Sequence, residues 1–298
     1  MHQTANPAVT ITNERMKAIR AIKLMLFTAS IMPSITGGAL AYYHGSFNWP
    51  HFSLVLLALF IGQAGGDYLY YYFTNRHTDP RDAHTKIFAG WRPLFADSLP
   101  EKNGTLYAGI FCLFIDLLIG IYFFMQLGYM IAALALIGGA VAIFFTPLML
   151  KGFKEPVIFF TFGPLSVTGM FYVLTGDINW DPVFVSLPIG FLITAVAHLK
   201  GAHYEVKDEE GEEVVLKLNP RRVIFLFGLA YFHLLIGLIY GKLPLISAAG
   251  LLTIPMAYSI VKILLQETNK VQDYLWAVVR TINVMVITGL IIAITLLI

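Results

Sequence analysis

Along this chain of 298 residues long apolar stretches alternate with short polar breaks, and nine stretches reach the length of about 20 residues that a bilayer-spanning helix needs. They run approximately over Ile19–Tyr43, His51–Phe73, Thr105–Leu127, Tyr129–Leu150, Val157–Thr175, Val183–Leu199, Val223–Tyr240, Leu243–Leu265 and Leu275–Ile298. The pattern predicts an all-α integral membrane protein of one domain, residues 1–298, with a polar N-terminal segment at 1–17. Two polar loops, 74–104 and 200–222, are long enough to cap one end of a bundle. The first apolar run exceeds a signal peptide's core and has no small-residue cleavage site after it, so it is expected to stay as a helix.

Charge fixes the expected orientation. Taken alternately, one set of breaks (His44–Pro50, Gly128, Gly176–Pro182, Gly241–Lys242 and the C-terminus) holds a single basic residue, Lys242. The other nineteen of the twenty Lys and Arg lie on the opposite face, which the positive-inside rule makes cytoplasmic together with the N-terminus and both long loops. Trp49 and Trp180 sit at the remaining boundary, where interfacial aromatic anchors belong.

Composition agrees. Only 13% of residues are charged, 57% are hydrophobic and the mean hydropathy is +0.72, which no ordinary water-soluble domain shows. A net charge of +2, spread in short clusters, predicts no nucleic-acid partner. The lone Cys112 excludes an internal disulfide and a cysteine-built metal cluster.

The chemistry concentrates at the ends of spans two and six. Gln63, Asp67, Tyr71, Asn75 and Asp79 recur every fourth residue, with Asp82 beyond, so one polar stripe climbs out of the bilayer. Asp67 stands out because an ionisable residue inside a span is costly and marks a functional interior. The tyrosines at 68 and 70–72 read either as an interfacial belt or as an aromatic wall facing a cation. The second loop offers Glu205 and Asp208 after Lys200. Carboxylates on two loops of one face suit Mg²⁺ bridged to a phosphate group, and Arg76, Arg81, Lys86 and Arg92, with Lys23, Lys151 and Lys154 on that face, suit a diphosphate. Asp116 and His233, alone in apolar spans three and seven, are expected to pair with neighbouring helices.

The first span with its mid-helix Pro33 and AYYHG ending, the Arg92-Pro93-Leu94 turn, and the stretch from Phe145 to Lys200 with its TPL, FGPL, GxxYVxTG and SLPxGxLxxA elements form a recognisable set. In this order they resemble the UbiA superfamily of intramembrane aromatic prenyltransferases, and within it the 1,4-dihydroxy-2-naphthoate polyprenyltransferases of menaquinone synthesis. Together these cover roughly residues 20–220. The resemblance implies nine helices around a lipid-open cavity capped by the two loops, in which Asp-rich motifs hold Mg²⁺ on a polyprenyl diphosphate while an aromatic acceptor attacks the allylic cation.

Carried onto this chain, it makes Asp79 and Asp208 the catalytic carboxylates. The metal set is Asp79, Asp82 and Asp208, then Asp67, Asn75 and Glu205; Arg92, Lys86, Lys200 and Lys23 bind diphosphate, and Tyr71 faces the cation. The chain departs from both motifs. Either Asn75 and Asp79 form the first, or a deeper register places Asp67 there with Tyr70 or Tyr71 at the next Asp; in the second, Tyr204 stands where the first Asp belongs and Lys200-Gly201 replaces Asn-Asn. These departures leave two further expectations in view, a catalytically silent relative that binds isoprenoid lipid or assists assembly, and, third, a secondary transporter.

Overall fold

The computed structural model describes Ile22, residues 25–77, Pro93, 95–100, 103–201, 203–206, 214–266 and 271–298; the side chains of residues 75–77, 97, 203–206, 214–217, 271 and 272 lie outside that description. Eight helical segments among the described residues are long and apolar enough to cross a bilayer. They are Trp49–Thr74, Gly104–Leu127, Tyr129–Leu150, Lys154–Thr175, Asp181–Lys200, Pro220–Ile239, Leu245–Leu264 and Asp273–Leu296. The predicted first span is represented by α1 (Thr28–Tyr43), joined to Ile22 by a helical hydrogen bond from Leu26 N–H. The chain is therefore an all-α membrane bundle with the expected order of spans.

The next helices are α2 (Trp49–His77), α3 (Gly104–Leu127), α4 (Tyr129–Leu150), α5 (Lys154–Phe160), α6 (Ser166–Thr175), α7 (Asp181–Lys200), α8 (Pro220–Ile239), α9 (Ile254–Leu264) and α10 (Val271–Leu296). Two spans are not uniform helices. A π turn over Thr161–Leu165 joins α5 to α6 where Pro164 cannot donate an N–H. A 3₁₀ stretch, Leu245–Thr253, precedes α9. The second long loop is not wholly irregular, since β1 (His203–Val206) pairs antiparallel with β2 (Val214–Lys217). Four-residue strands are too short for sequence alternation to reveal.

Packing divides the bundle into two parts. Buried residues of α1, α7, α8, α9 and α10 form one large core, including Leu40, Ile189, Leu234, Ile260 and Val278. A smaller cluster ties α2, α3 and α4 to α6 through Val55, Phe123, Ile131 and Met170. Close approaches use glycine: a Cβ at Gly37 would lie 2.8 Å from Met170 Cβ and 2.9 Å from the Val167 carbonyl, so α1 and α6 touch backbone to backbone. Between the two parts the packing opens, and the outer helices α3 and α4 have 11% of their apolar windows buried against 67% in α7. Those two helices form the thin lateral wall of the bundle.

Polar ties hold the two ends. At one end Asp181 accepts from Lys242 at 2.7 Å and faces His44 at 3.4 Å, joining three of the short turns. Trp49 and Trp180, both more than 70% exposed, project at the same end. At the other end Glu155 meets His198 at 2.5 Å and Arg222 at 3.5 Å. The alternation of breaks read from the sequence thus corresponds to two physical ends.

Candidate functional site

A cavity of about 1420 Å³ occupies the space between the two packed parts. Met25 and Leu26 preceding α1, Ile193 and Val196 of α7, and Ile282 and Met285 of α10 border it from the well-packed side. Helices α2, α3 and α4 close it towards lipid with Leu113, Phe114, Phe144 and their neighbours. Along α2 its lining runs from Val55 to Thr74, and Val55 to Asp67 alone is a rise of about 18 Å. Its wall is overwhelmingly hydrocarbon.

One end is different. Asp67, Tyr70, Tyr71 and Thr74 of α2 border the cavity there, together with Lys154 of α5 and Lys200 and Gly201 at the close of α7. Lys200 and Asp67 lie close enough for their charges to interact. The Lys154 ammonium donates to the Ala197 carbonyl at 2.6 Å, which pins it against the last turn of α7. A Cβ at Gly201 would come within 3.0 Å of that ammonium, so glycine leaves room for it. Three charges of mixed sign at the end of a long apolar cavity form a polar head site and a hydrocarbon tail site.

The helices explain the placement. Because α2 continues unbroken from Trp49 to His77, Asp67 stays on the cavity face established by Gln63, whose amide donates to the Leu26 carbonyl at 3.2 Å and whose Oε1 accepts from Ser30. The tyrosines divide between both expected roles: Tyr68 is buried, Tyr70 and Tyr71 border the cavity, and Phe73 is exposed. Tyr70 also stands edge-on to Phe145 of α4 at 6.0 Å.

Of the residues singled out by sequence, the structure brings Asp67, Tyr71 and Lys200 together on one cavity. Asn75 lies on the last turn of α2 and Glu205 on β1, both with side chains outside the described residues. Asp79, Asp82, Lys86, Arg92, Asp208 and Lys23 also lie outside them. Lys154, one of the cations expected on that face, also borders the cavity. His233 bonds back to the Leu229 carbonyl of its own helix at 2.8 Å and packs against Phe191 of α7 with ring centroids 5.1 Å apart, the pairing with a neighbouring helix that the sequence suggested. Asp116 finds no such partner: its Oδ1 is buried without a hydrogen bond.

Fold and cavity define a membrane helix bundle with a long apolar cavity that carries charged side chains at one end. Residues 30–284 match the UbiA prenyltransferase family, and the chain belongs to that family, whose class is membrane prenyl transfer. It is 25% identical over 255 residues to UbiA prenyltransferase domain-containing protein 1 of Xenopus tropicalis, covering 81% of this chain and 72% of that protein. The bundle is also similar to a solved structure described as giving insights into the biosynthesis of digeranylgeranylglyceryl phosphate synthase in membranes. That similarity has a TM-score of 0.53 at 18% identity, covers 95% of this chain and 99% of that one, and concerns the fold.

The family implies Mg²⁺, an ion that takes one or two protein carboxylates and fills its remaining positions with water and phosphate oxygens. Among the described residues no group of three or more His, Cys, Asp or Glu side chains converges, so no closed protein cage exists there. Asp67 supplies one carboxylate at the head site, which fits an ion shared with a phosphate ligand.

Proposed function

We propose that this chain transfers a polyprenyl group from an isoprenoid diphosphate to a small aromatic acceptor, as in the synthesis of quinone-type lipids such as menaquinone. The single observation that carries the reading is the charged head site of Asp67, Lys154 and Lys200 at one end of an apolar cavity that runs about 18 Å along α2. A diphosphate is polar and multiply anionic, and its isoprenoid tail is pure hydrocarbon; the cavity matches both.

In this reading Lys200 and Lys154 bind the diphosphate by charge-assisted hydrogen bonds. Asp67 would hold Mg²⁺ with oxygen ligands drawn from the proposed set of Asp79, Asp82, Asp208 and Glu205 and the amide of Asn75, and Arg92, Lys86 and Lys23 add positive charge. When bound, Mg²⁺ supplies Lewis-acid neutralisation of the leaving diphosphate. The allylic carbon–oxygen bond breaks, its electron pair leaves with the diphosphate, and the carbon becomes cationic. Tyr70 and Tyr71 present π faces that stabilise this cation. A ring carbon of the acceptor then forms the new bond and gives up its proton to water or to the diphosphate. Hydrophobic α3 and α4 keep bulk water from the cation meanwhile.

We place the head site, both loops and the N-terminus on the cytoplasmic side by the charge asymmetry. A purified sample in lipid nanodiscs, given labelled farnesyl diphosphate, Mg²⁺ and dihydroxynaphthoate, should form prenylated product. The variants Asp67→Ala, Asp79→Ala and Asp208→Ala should each lose at least about a hundredfold in rate. Unchanged turnover in the Asp67 variant or in excess chelator would refute the mechanism.

A second reading has its own observation. Lys200 stands beside Asp67, and Tyr71 takes the place of a further carboxylate four residues on, so the head site carries less negative charge than a two-motif metal site. This favours a relative that holds an isoprenoid lipid without turning it over. Tight farnesyl diphosphate binding with no product from any aromatic acceptor would select it.

A further inference from the structure

Five residues below Asp67 on α2 lies Gly62, at a rise of about 7.5 Å towards the middle of the bilayer. Opposite it, halfway along α3, Asp116 borders the same cavity. A Cβ at Gly62 would lie 2.5 Å from Asp116 Oδ2, so the absence of a side chain at 62 makes the space that the carboxyl fills. Other hydroxyls of the cavity wall are turned back onto their own helices: Thr161 donates to the Val157 carbonyl and Ser166 to the Thr161 carbonyl, at 2.7 and 2.6 Å. Among the described residues Asp116 Oδ1 is the one buried side-chain polar atom with no hydrogen-bond partner. An unsatisfied carboxyl at that depth is strongly disfavoured unless something else supplies a donor.

The identity of that donor follows from the chemistry of what the cavity holds. An isoprenoid tail has no N–H or O–H. A diphosphate is rich in acceptors and repels a carboxylate. Of the two substrates, only the acceptor, if it is a hydroxylated ring, carries a donor into the apolar zone. We propose that Asp116 forms a second polar subsite, accepting a hydrogen bond from a hydroxyl of the bound aromatic molecule and so fixing which ring edge faces the head site. Phe114, two residues before it on α3, borders the cavity and offers flat apolar contact to the ring. The inference rests on the cavity taking an aromatic acceptor but not on turnover.

Equilibrium binding to the full chain in nanodiscs tests it, with naphthol and naphthyl methyl ether as one probe pair and farnesol and farnesyl methyl ether as the other. No diphosphate is present, so the outcome is independent of catalysis. Wild type should bind naphthol at least about tenfold more tightly than its ether, the value of one hydrogen bond to a charged or strongly polar acceptor. The variant Asp116→Leu should bring that ratio close to one, Asp116→Asn should retain part of it through its carbonyl oxygen, and Gly62→Ala should reduce it by displacing the carboxyl. The farnesol pair should show no preference in any variant. Because Asp116→Leu removes a buried polar group, its thermal stability should match or exceed wild type, so loss of the ratio will not reflect unfolding. A naphthol preference that survives both Asp116→Leu and Gly62→Ala would overturn the proposal, as would a preference that belongs to farnesol instead.

Discussion

Replacing Lys200 by Met leaves Asp67 facing the cavity without the cation that interacts with it. Both residues are partly buried and border a space open to small molecules. Their pairing therefore falls between exposed ion pairs, worth about 0–1 kcal/mol, and fully buried ones, where stripping one partner costs about 3–5 kcal/mol. A loss of about 1–3 kcal/mol follows for Lys200→Met. At the scale of large domains each kcal/mol moves Tm by about 2–4 °C, so the variant should unfold several degrees earlier in detergent. Adding Asp67→Leu to Lys200→Met removes the stranded carboxylate and should recover most of the loss. Farnesyl diphosphate affinity should behave oppositely: the single Lys200→Met variant should bind about tenfold or more weakly, and the double variant no better. Thermal scanning of wild type, both single variants and the double, with and without the diphosphate, gives the full cycle. Equal Tm values for the two Lys200→Met backgrounds would show that the charges do not interact. Undiminished diphosphate binding in the Lys200 variant would remove Lys200 from the head site.

Two other expectations are simpler to check. Cysteines introduced at positions 179 and 209 should label from opposite sides of the membrane, position 209 from the cytoplasm; labelling of both from one side would contradict the orientation. Gly37→Val should destabilise the bundle by about 1–3 kcal/mol or more through overpacking, since even a Cβ there meets Met170 and the Val167 carbonyl inside 3 Å. A Tm equal to wild type would mean that α1 and α6 can separate without loss.

The spans were legible because each is a run of apolar residues bounded by polar ones, and lipid allows no alternative to helix for such runs. Departures within them were harder to read. Gly163-Pro164 marks the π turn of the fifth span only in retrospect, since proline in a membrane helix is compatible with a simple kink. The strand pair His203–Val206 and Val214–Lys217 hid inside a segment whose acidic composition reads as a loop. At the site, Asp67 was legible from depth alone. Tyr71, Lys200 and Lys154 were legible as residue types on the same face, but that Lys200 and Lys154 meet Asp67 from α7 and α5 follows only once the bundle is packed. Asp116 was expected to pair with another helix, and the helix it faces offers Gly62, a residue with no side chain to pair. Sequence displays a buried charge but not what stands across from it.

The central claim is that the isoprenoid lies along this cavity with its diphosphate between Asp67, Lys154 and Lys200. Photo-crosslinking with a farnesyl diphosphate bearing a diazirine at the tail end, followed by peptide mapping, tests it most directly. The account predicts adducts at the far end of the cavity, around Val55, Phe124, Ile131 and Leu134, which border it there. These adducts should disappear with excess unlabelled diphosphate and weaken in Lys200→Met. Adducts on the lipid-facing residues of α8 and α9, such as Phe232 or Tyr258, or labelling indifferent to competitor, would contradict it.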